Sequence, residues 1–127
     1  MKFLLNKIAA VLAFIIGAMA IFAGGKVLLG VLPDYYVISW LPPYNFLLGV
    51  ISAFFAAALI WKNHPFAMPF ALAIFSSHAV VMLILQTAYR HVVAPDSVAA
   101  MTARLATWLA ILALLTYNRL AQARRRM

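Results

Sequence analysis

The chain has no cysteine and no glutamate, and its only acidic residues are Asp34 and Asp96. Without thiols it cannot form disulfides, thiolate metal sites, protein-ligated iron–sulfur clusters or Cys-x-x-Cys redox centres. Neither aspartate is expected to lie inside a helix, so the sequence lacks the membrane carboxylate that a proton-coupled multidrug exporter needs. It also lacks a glycine-rich phosphate loop, because Gly24-Gly25 is expected toward the outer end of a membrane helix.

Charged residues are scarce and apolar residues dominate. Of 127 residues, 68% are hydrophobic and 9% are charged, whereas soluble domains are about half apolar and a quarter charged. A small water-soluble fold could not bury so much apolar surface. The composition therefore indicates a protein whose solvent is the lipid bilayer.

Four apolar stretches are separated by turn-forming or charged residues, and each approaches the ~20 residues that span a bilayer. They cover about 8–32, 45–61, 66–89 and 98–117. The sequence therefore predicts an all-α integral membrane four-helix bundle that forms a single domain over residues 1–127. An outer, aromatic loop is expected at 33–44.

The basic residues lie mainly at one side of these stretches. Seven are expected on the side of the termini: Lys2, Lys7, Lys62, Arg119, Arg124, Arg125 and Arg126. Three are expected on the other side: Lys26, Arg90 and Arg104. The positive-inside rule then places both termini in the cytoplasm. It also explains the net charge of +8 without a nucleic-acid partner.

The amino-terminal residues also have features of a secretory signal. A basic segment, residues 1–7, precedes an apolar run in which Ala18-Met19-Ala20 has the form of a signal-peptidase site. Cleavage there would leave three helices. The apolar run continues well past Ala20, which favours an uncleaved membrane anchor.

Small residues recur at helical spacing in three of the stretches. They are Ala9, Ala13, Gly17, Ala20 and Gly24; Gly49, Ala53 and Ala57; and Ala99, Ala103, Ala106, Ala110 and Ala113. Small residues let helices in lipid approach closely. We expect these stripes to pack within the chain. The alternative is that one stripe, above all the last, faces a protein partner or a second copy.

The loop at 33–44 contains Tyr35, Tyr36, Trp40 and Tyr44. Such rings favour the headgroup layer, so one interpretation is an anchoring aromatic belt. The other is the rim of an outward-facing cavity, with Asp34 and Asn45 as polar groups for a lipid headgroup or a quinone ring. Pro42-Pro43 is expected to interrupt regular structure and to precede the second helix in extended form.

His78 lies near the middle of the third stretch, and a polar group at membrane depth usually faces the bundle interior or serves a function. It either hydrogen-bonds a neighbouring helix, through Ser52, Ser76 or Ser77, or belongs to the outward cavity. The candidate ligand-binding residues are thus Asp34, Tyr35, Trp40, Asn45 and His78. Ser76, Ser77 and His78 point in different directions and form no catalytic set. No metal site is predicted.

Two runs resemble a known family. In 17–27, spaced glycines are followed by Lys26 at the outer end of the first helix; in 47–73, a helix with Gly49 precedes a basic turn and a small-residue-rich third helix. Both resemble the DoxX-like family of small bacterial four-helix membrane proteins. The acidic residue that often precedes the second-helix glycine in that family is absent here. The resemblance implies an inner-membrane protein, sometimes a subunit of a quinone-linked oxidoreductase complex.

Two functional hypotheses follow. The first is a non-catalytic subunit or scaffold of a membrane complex, which agrees with the small-residue stripes and the lack of a catalytic set. The second is a protein that binds a lipid or a quinone in an outward-facing pocket. No cofactor is required by the sequence, and quinone is the one that the second hypothesis leaves open.

Reporter fusions test the predicted topology. A reporter that works only in the cytoplasm should be active when fused at Met127, and one that works only in the periplasm should be active when inserted within 33–43. We expect this because seven basic residues on the side of the termini against three on the other side favour that orientation. A periplasmic carboxyl terminus would contradict the topology.

Overall fold

A computed structural model of the protein describes residues 4–126, and this part of the chain forms four long helices. They are α1 (Leu4–Leu28), α2 (Leu41–Trp61), α3 (Ala67–Thr87) and α4 (Pro95–Arg126). Each is long and apolar enough to cross a membrane. The predicted all-helical, four-helix architecture is confirmed. Lys2 and Met127, which the topology prediction uses, lie outside the described residues.

The first helix ends four residues before the predicted limit, although the apolar run continues to Leu32. Gly30 has a φ of 96°. The amide of Val31 donates to the carbonyl of Lys26 at 2.9 Å, and that of Gly30 donates to Val27 at 3.0 Å. This is a Schellman motif, in which a left-handed glycine satisfies the last carbonyls of a helix. Local backbone geometry, rather than hydropathy, therefore ends α1.

The second helix begins at Leu41, and the expectation that Pro42-Pro43 precedes it in extended form is wrong. Both prolines lie in its first turn, where a missing amide hydrogen costs nothing and the fixed φ suits a helix. Residues Ile51–Ala56 then form a π-helical segment, at whose end the Ala57 amide donates to the Ser52 carbonyl. Such segments widen a helix locally and are frequent at functional sites.

The fourth helix extends beyond its predicted limits of 98–117 at both ends. It begins at Pro95 and includes Asp96 in its first turn. The expectation that neither aspartate belongs to a helix is therefore wrong for Asp96. A proline at the first helical position and a carboxylate near the positive end of the helix dipole both stabilise such a start.

The closest helix packing is the crossing of α1 and α2. A Cβ on Gly17 would lie 2.7 Å from the Ala53 amide nitrogen and 2.8 Å from the Gly49 carbonyl oxygen. A Cβ on Gly49 would lie 2.7 Å from the Gly17 carbonyl oxygen. The stripes predicted on the first two helices therefore do pack within the chain, in a backbone-to-backbone contact that glycine alone permits.

The stripe on α4 does not pack within the chain, and that expectation is wrong. Its five alanines are all exposed: Ala99, Ala103, Ala106, Ala110 and Ala113. The buried residues of α4 have the same alternating spacing but lie on another face: Met101, Arg104, Trp108, Ile111, Leu115 and Asn118. The alanine stripe and the buried stripe have the same spacing, so the sequence pattern does not distinguish which of them packs. The bulky side chains fill the space between α4 and its neighbours α1 and α3.

Three asparagines join the elements at the end of the bundle that carries both termini. The Asn6 amide group donates to Asn63 Oδ1, and the Asn118 amide group donates to Asn6 Oδ1, each at 2.8 Å. Asn6 and Asn118 are buried, while Asn63 occupies the turn between α2 and α3 with φ of 55°. This chain of amides fixes the register of α1, α4 and the turn relative to one another.

A pair of glycine substitutions tests the crossing of α1 and α2. Gly17→Ala should lower the free energy of unfolding by about 1–3 kcal/mol, because the new methyl group meets backbone atoms that cannot move aside cheaply. Gly25→Ala is the matched control in the same helix, since its Cβ would lie 3.6 Å from the Phe46 ring in ordinary contact. It should be neutral or stabilising. Equal melting shifts of the two variants in detergent would contradict the crossing.

A buried polar site at the centre of the bundle

A small cavity lies where the four helices meet, beside the glycine crossing. Its volume is about 10 Å³, which is about the space of one water molecule. All four helices contribute to its wall, which is formed by Ile16, Gly17, Ala20, Asn45, Leu48, Gly49, Ser52, His78, Arg104 and Trp108. Half of these side chains are apolar or absent, and the other half carry hydrogen-bonding groups.

Arg104 is the only charged residue of this wall. Its side chain is 6% exposed, and its Nη1 donates to Asn45 Oδ1 at 2.7 Å. The two acidic residues of the chain, Asp34 and Asp96, are both exposed. The guanidinium is therefore held by a neutral amide rather than by a carboxylate.

His78 is 3% exposed and hydrogen-bonds a neighbouring helix, as one of the two interpretations of the sequence expected. The partner is Tyr44, whose hydroxyl lies 2.9 Å from His78 Nδ1, with the two rings in an edge-to-face arrangement. None of the three expected serines is this partner. Ser76 is exposed, Ser77 donates to the Ala73 carbonyl, and Ser52 lines the cavity.

Trp108 completes the site from α4. Its side chain is fully buried, and its indole Nε1–H has no hydrogen-bond acceptor among the residues that the structure describes. Burying such a donor unpaired costs about 1–3 kcal/mol. Ser52, which belongs to the π-helical segment of α2, lies on the same wall. The site thus contains at least one buried donor for which the described residues supply no acceptor.

The structure brings together two of the five predicted ligand-binding residues. Asn45 and His78 both line the cavity. Asp34 and Tyr35 are exposed in the loop before α2. Trp40 is half-buried, and its Nε1 donates to the Tyr89 hydroxyl at 3.0 Å.

An apolar cluster lies between the aromatic loop and the buried cavity. Its buried members are Ile38, Leu41, Val81, Leu85 and Met101, with Trp40 and Tyr44 packed against them. Val81 and Leu85 follow His78 along α3, and Met101 precedes Arg104 by one turn of α4. The cluster therefore lies between most of the loop and the cavity, and Tyr44, at the end of the loop, reaches the cavity wall through His78.

Sequence reasoning missed Tyr44, Ser52, Arg104 and Trp108 as parts of one site. The charge count places Arg104 on the outer side, and its burial corrects that prediction: the side chain is 6% exposed, and the count becomes seven against two. Its position carried a signal, because it lies six residues inside the stretch at 98–117 and is the only charged residue there. A charge so far inside an apolar helix usually faces the bundle interior.

Comparison of the chain with protein-family models, with curated proteins and with solved structures finds no match. Within residues 4–126, no three or more His, Asp or Glu side chains are grouped so that they could hold a metal ion. The groups that line the cavity determine what the site can bind. They include a cation, a hydroxyl, an imidazole and an indole around a very small cavity.

The contact between α2 and α3 can be tested with two tyrosine substitutions. Tyr44→Phe removes the hydroxyl and leaves buried His78 Nδ1 unpaired, which should lower the free energy of unfolding by about 1–3 kcal/mol. Tyr36→Phe, at a tyrosine that is 61% exposed, is the control and should change stability by less than about 0.5 kcal/mol. Equal stability of the two variants in a detergent melt would contradict the assigned hydrogen bond.

Proposed function

We propose that the protein is a multi-pass inner-membrane protein with cytoplasmic termini that serves as a non-catalytic subunit or scaffold of a membrane complex. Four helices with the length and hydropathy of membrane spans support the location. Their outward surfaces carry large apolar side chains such as Phe22, Phe54 and Leu83, each more than half exposed. Exposed apolar surface of this extent suits lipid or a partner within lipid.

The observation that carries the proposal is the alanine face of α4, formed by Ala99, Ala103, Ala106, Ala110 and Ala113. All five residues are exposed, so the face is not used for packing within the chain. Helices associate in lipid through close backbone approach at small residues, because lipid tails provide no hydrophobic drive between helices. A face of small alanine side chains over about four turns of α4 therefore allows a helix of another subunit to approach closely.

The resemblance to DoxX-like proteins agrees with this proposal and refines it. The glycines that carry the resemblance, Gly17 and Gly24, are both buried against α2, and Lys26 lies in the last turn of α1. On this basis we propose a DoxX-like subunit, and a quinone-linked oxidoreductase as the kind of complex. The chemistry would then reside in the partner chain.

A lipid or quinone pocket, the other predicted function, has less support. Pockets for ligands of that size have volumes of about 300–1,000 Å³, whereas the cavity lined by Asn45 and His78 has about 10 Å³. A larger apolar groove of about 470 Å³ lies between α2 and α3. It contains none of the five predicted ligand-binding residues, and a groove of about 250 Å³ beside the loop contains only Tyr35 of the five.

Isolation of the protein in mild detergent, followed by native mass spectrometry, tests the proposal. We expect the wild-type chain to retain a partner protein or a second copy. Ala106→Leu with Ala110→Leu should abolish that association, because leucine holds two backbones apart, and should leave the melting of the isolated chain nearly unchanged. Ala58→Leu, at an exposed alanine of α2, is the matched control and should retain the partner.

Two results would contradict the proposal. One is a wild-type chain that is monomeric and without a protein partner in every mild detergent tested. The other is a complex that survives the double substitution on α4 as well as it survives Ala58→Leu.

A further inference from the structure

We propose that the central cavity between Arg104, Trp108 and Ser52 binds one small monovalent anion of halide size, such as chloride. The proposal concerns the interior of the chain and is independent of any partner on the α4 surface. Three observations carry it: the charge balance of the site, the donors that face it, and its size.

The charge balance calls for a counter-ion. Arginine stays protonated in proteins, and an uncompensated charge inside an apolar bundle is strongly destabilising. Arg104 is 6% exposed and contacts Asn45, which satisfies one N–H but contributes no charge. The chain has only two acidic residues, and both are exposed. Neither exposed carboxylate compensates the guanidinium, so a compensating negative charge would come from outside the chain.

The donors of the cavity wall point to an anion as well. Trp108 Nε1–H is a donor only, is fully buried and has no acceptor within residues 4–126. The Ser52 hydroxyl lies on the same wall. The Tyr44 hydroxyl lies 2.9 Å from His78 Nδ1, and in the tautomer in which Tyr44 donates this hydrogen bond the His78 ring carries its proton on Nε2. An anion can accept from the indole N–H, the serine hydroxyl and the guanidinium, whereas a water molecule would pair the indole but leave Arg104 uncompensated.

The size of the cavity restricts the anion. About 10 Å³ accommodates a particle of roughly one water molecule, so a halide fits with small side-chain shifts. Phosphate, sulfate and organic carboxylates are too large. The backbones of Gly17 and Gly49 form part of the wall, and because these are in direct contact with each other the cavity cannot expand on that side.

Thermal melting of the purified protein in detergent tests the site. Sodium chloride is titrated against sodium gluconate at constant ionic strength, so that only the identity of the anion changes. We expect chloride to raise the melting temperature in a saturable manner, as a ligand of the native state does. Trp108→Phe removes the N–H and keeps an aromatic ring, and should weaken the apparent chloride affinity about tenfold or more.

The matched control is Trp61→Phe, at a half-exposed tryptophan at the end of α2, which should keep the wild-type response. Arg104→Gln removes the charge and should abolish the chloride dependence. In gluconate it should also melt no lower than wild type, because the uncompensated buried charge is gone. Should Trp108→Phe not fold, Ser52→Ala tests the donors in its place, with weaker chloride affinity expected.

Two outcomes would overturn the proposal. The first is equal stabilisation by chloride and gluconate, which is the result for a cavity that holds only water. The second is a saturable chloride response that Arg104→Gln retains in full, because an anion at this site cannot be indifferent to the guanidinium.

Discussion

Helices α1 and α2 meet at Gly17 and Gly49 with their backbones in contact, and the other features of the bundle are arranged around that crossing. A Cβ at either position would lie less than 3 Å from backbone atoms of the opposite helix, so the spacing of the two helices is fixed by the absence of side chains. Both glycines also line the central cavity. The crossing therefore keeps the cavity small, and it brings Asn45 and Ser52 of α2 to the polar side chains of α3 and α4.

Polar and apolar layers alternate along the bundle from this centre. Toward the loop at 33–44, the cluster of Ile38, Leu85 and Met101 lies next to the cavity. Toward the termini, a second apolar cluster that includes Ala13, Ile60 and Ile111 separates the cavity from the asparagines at the end of the bundle. Apolar side chains can slide past one another at little cost, whereas a displaced buried hydrogen bond leaves both groups unpaired. The two polar layers are thus well placed to fix the register of helices whose apolar faces are nearly uniform.

The number and type of the helices could be predicted from the sequence because hydropathy over ~20 residues is a strong signal. Their ends could not, because they depend on local backbone geometry: Gly30 ends α1 inside an apolar run, and Pro42 begins α2 rather than preceding it. The face of α4 that packs was also misjudged. Ala106 and Trp108 belong to stripes of the same period, and only the space left by α1 and α3 decides which of them is buried.

Only some residues of the central site could be predicted from the sequence, because only some of them are polar residues in an apolar context. His78 and Asn45 stand out as polar residues in or beside apolar stretches, and both reach the cavity. Tyr44 and Trp108 are amphipathic, and their sequence context suits an interfacial belt or a core as well as it suits a polar site. A charge count that treats every basic residue as a loop residue places Arg104 at the surface. Only the three-dimensional arrangement shows that these residues share one space.

The presence of Arg104 at that space is not explained by stability. Buried ionic groups can often be replaced by apolar residues of similar volume at no loss, or with a gain, of folding free energy. A leucine at position 104 would pack against Leu48 and Trp108, two of the residues that share the cavity wall, and would need no partner. The chain instead places a permanent cation among donors, in a bundle whose two carboxylates are exposed. Such an arrangement is costly for a protein on its own, and a negative charge from outside the chain would offset that cost. This is the physical reason to regard the centre of the bundle as a binding site rather than as part of the core.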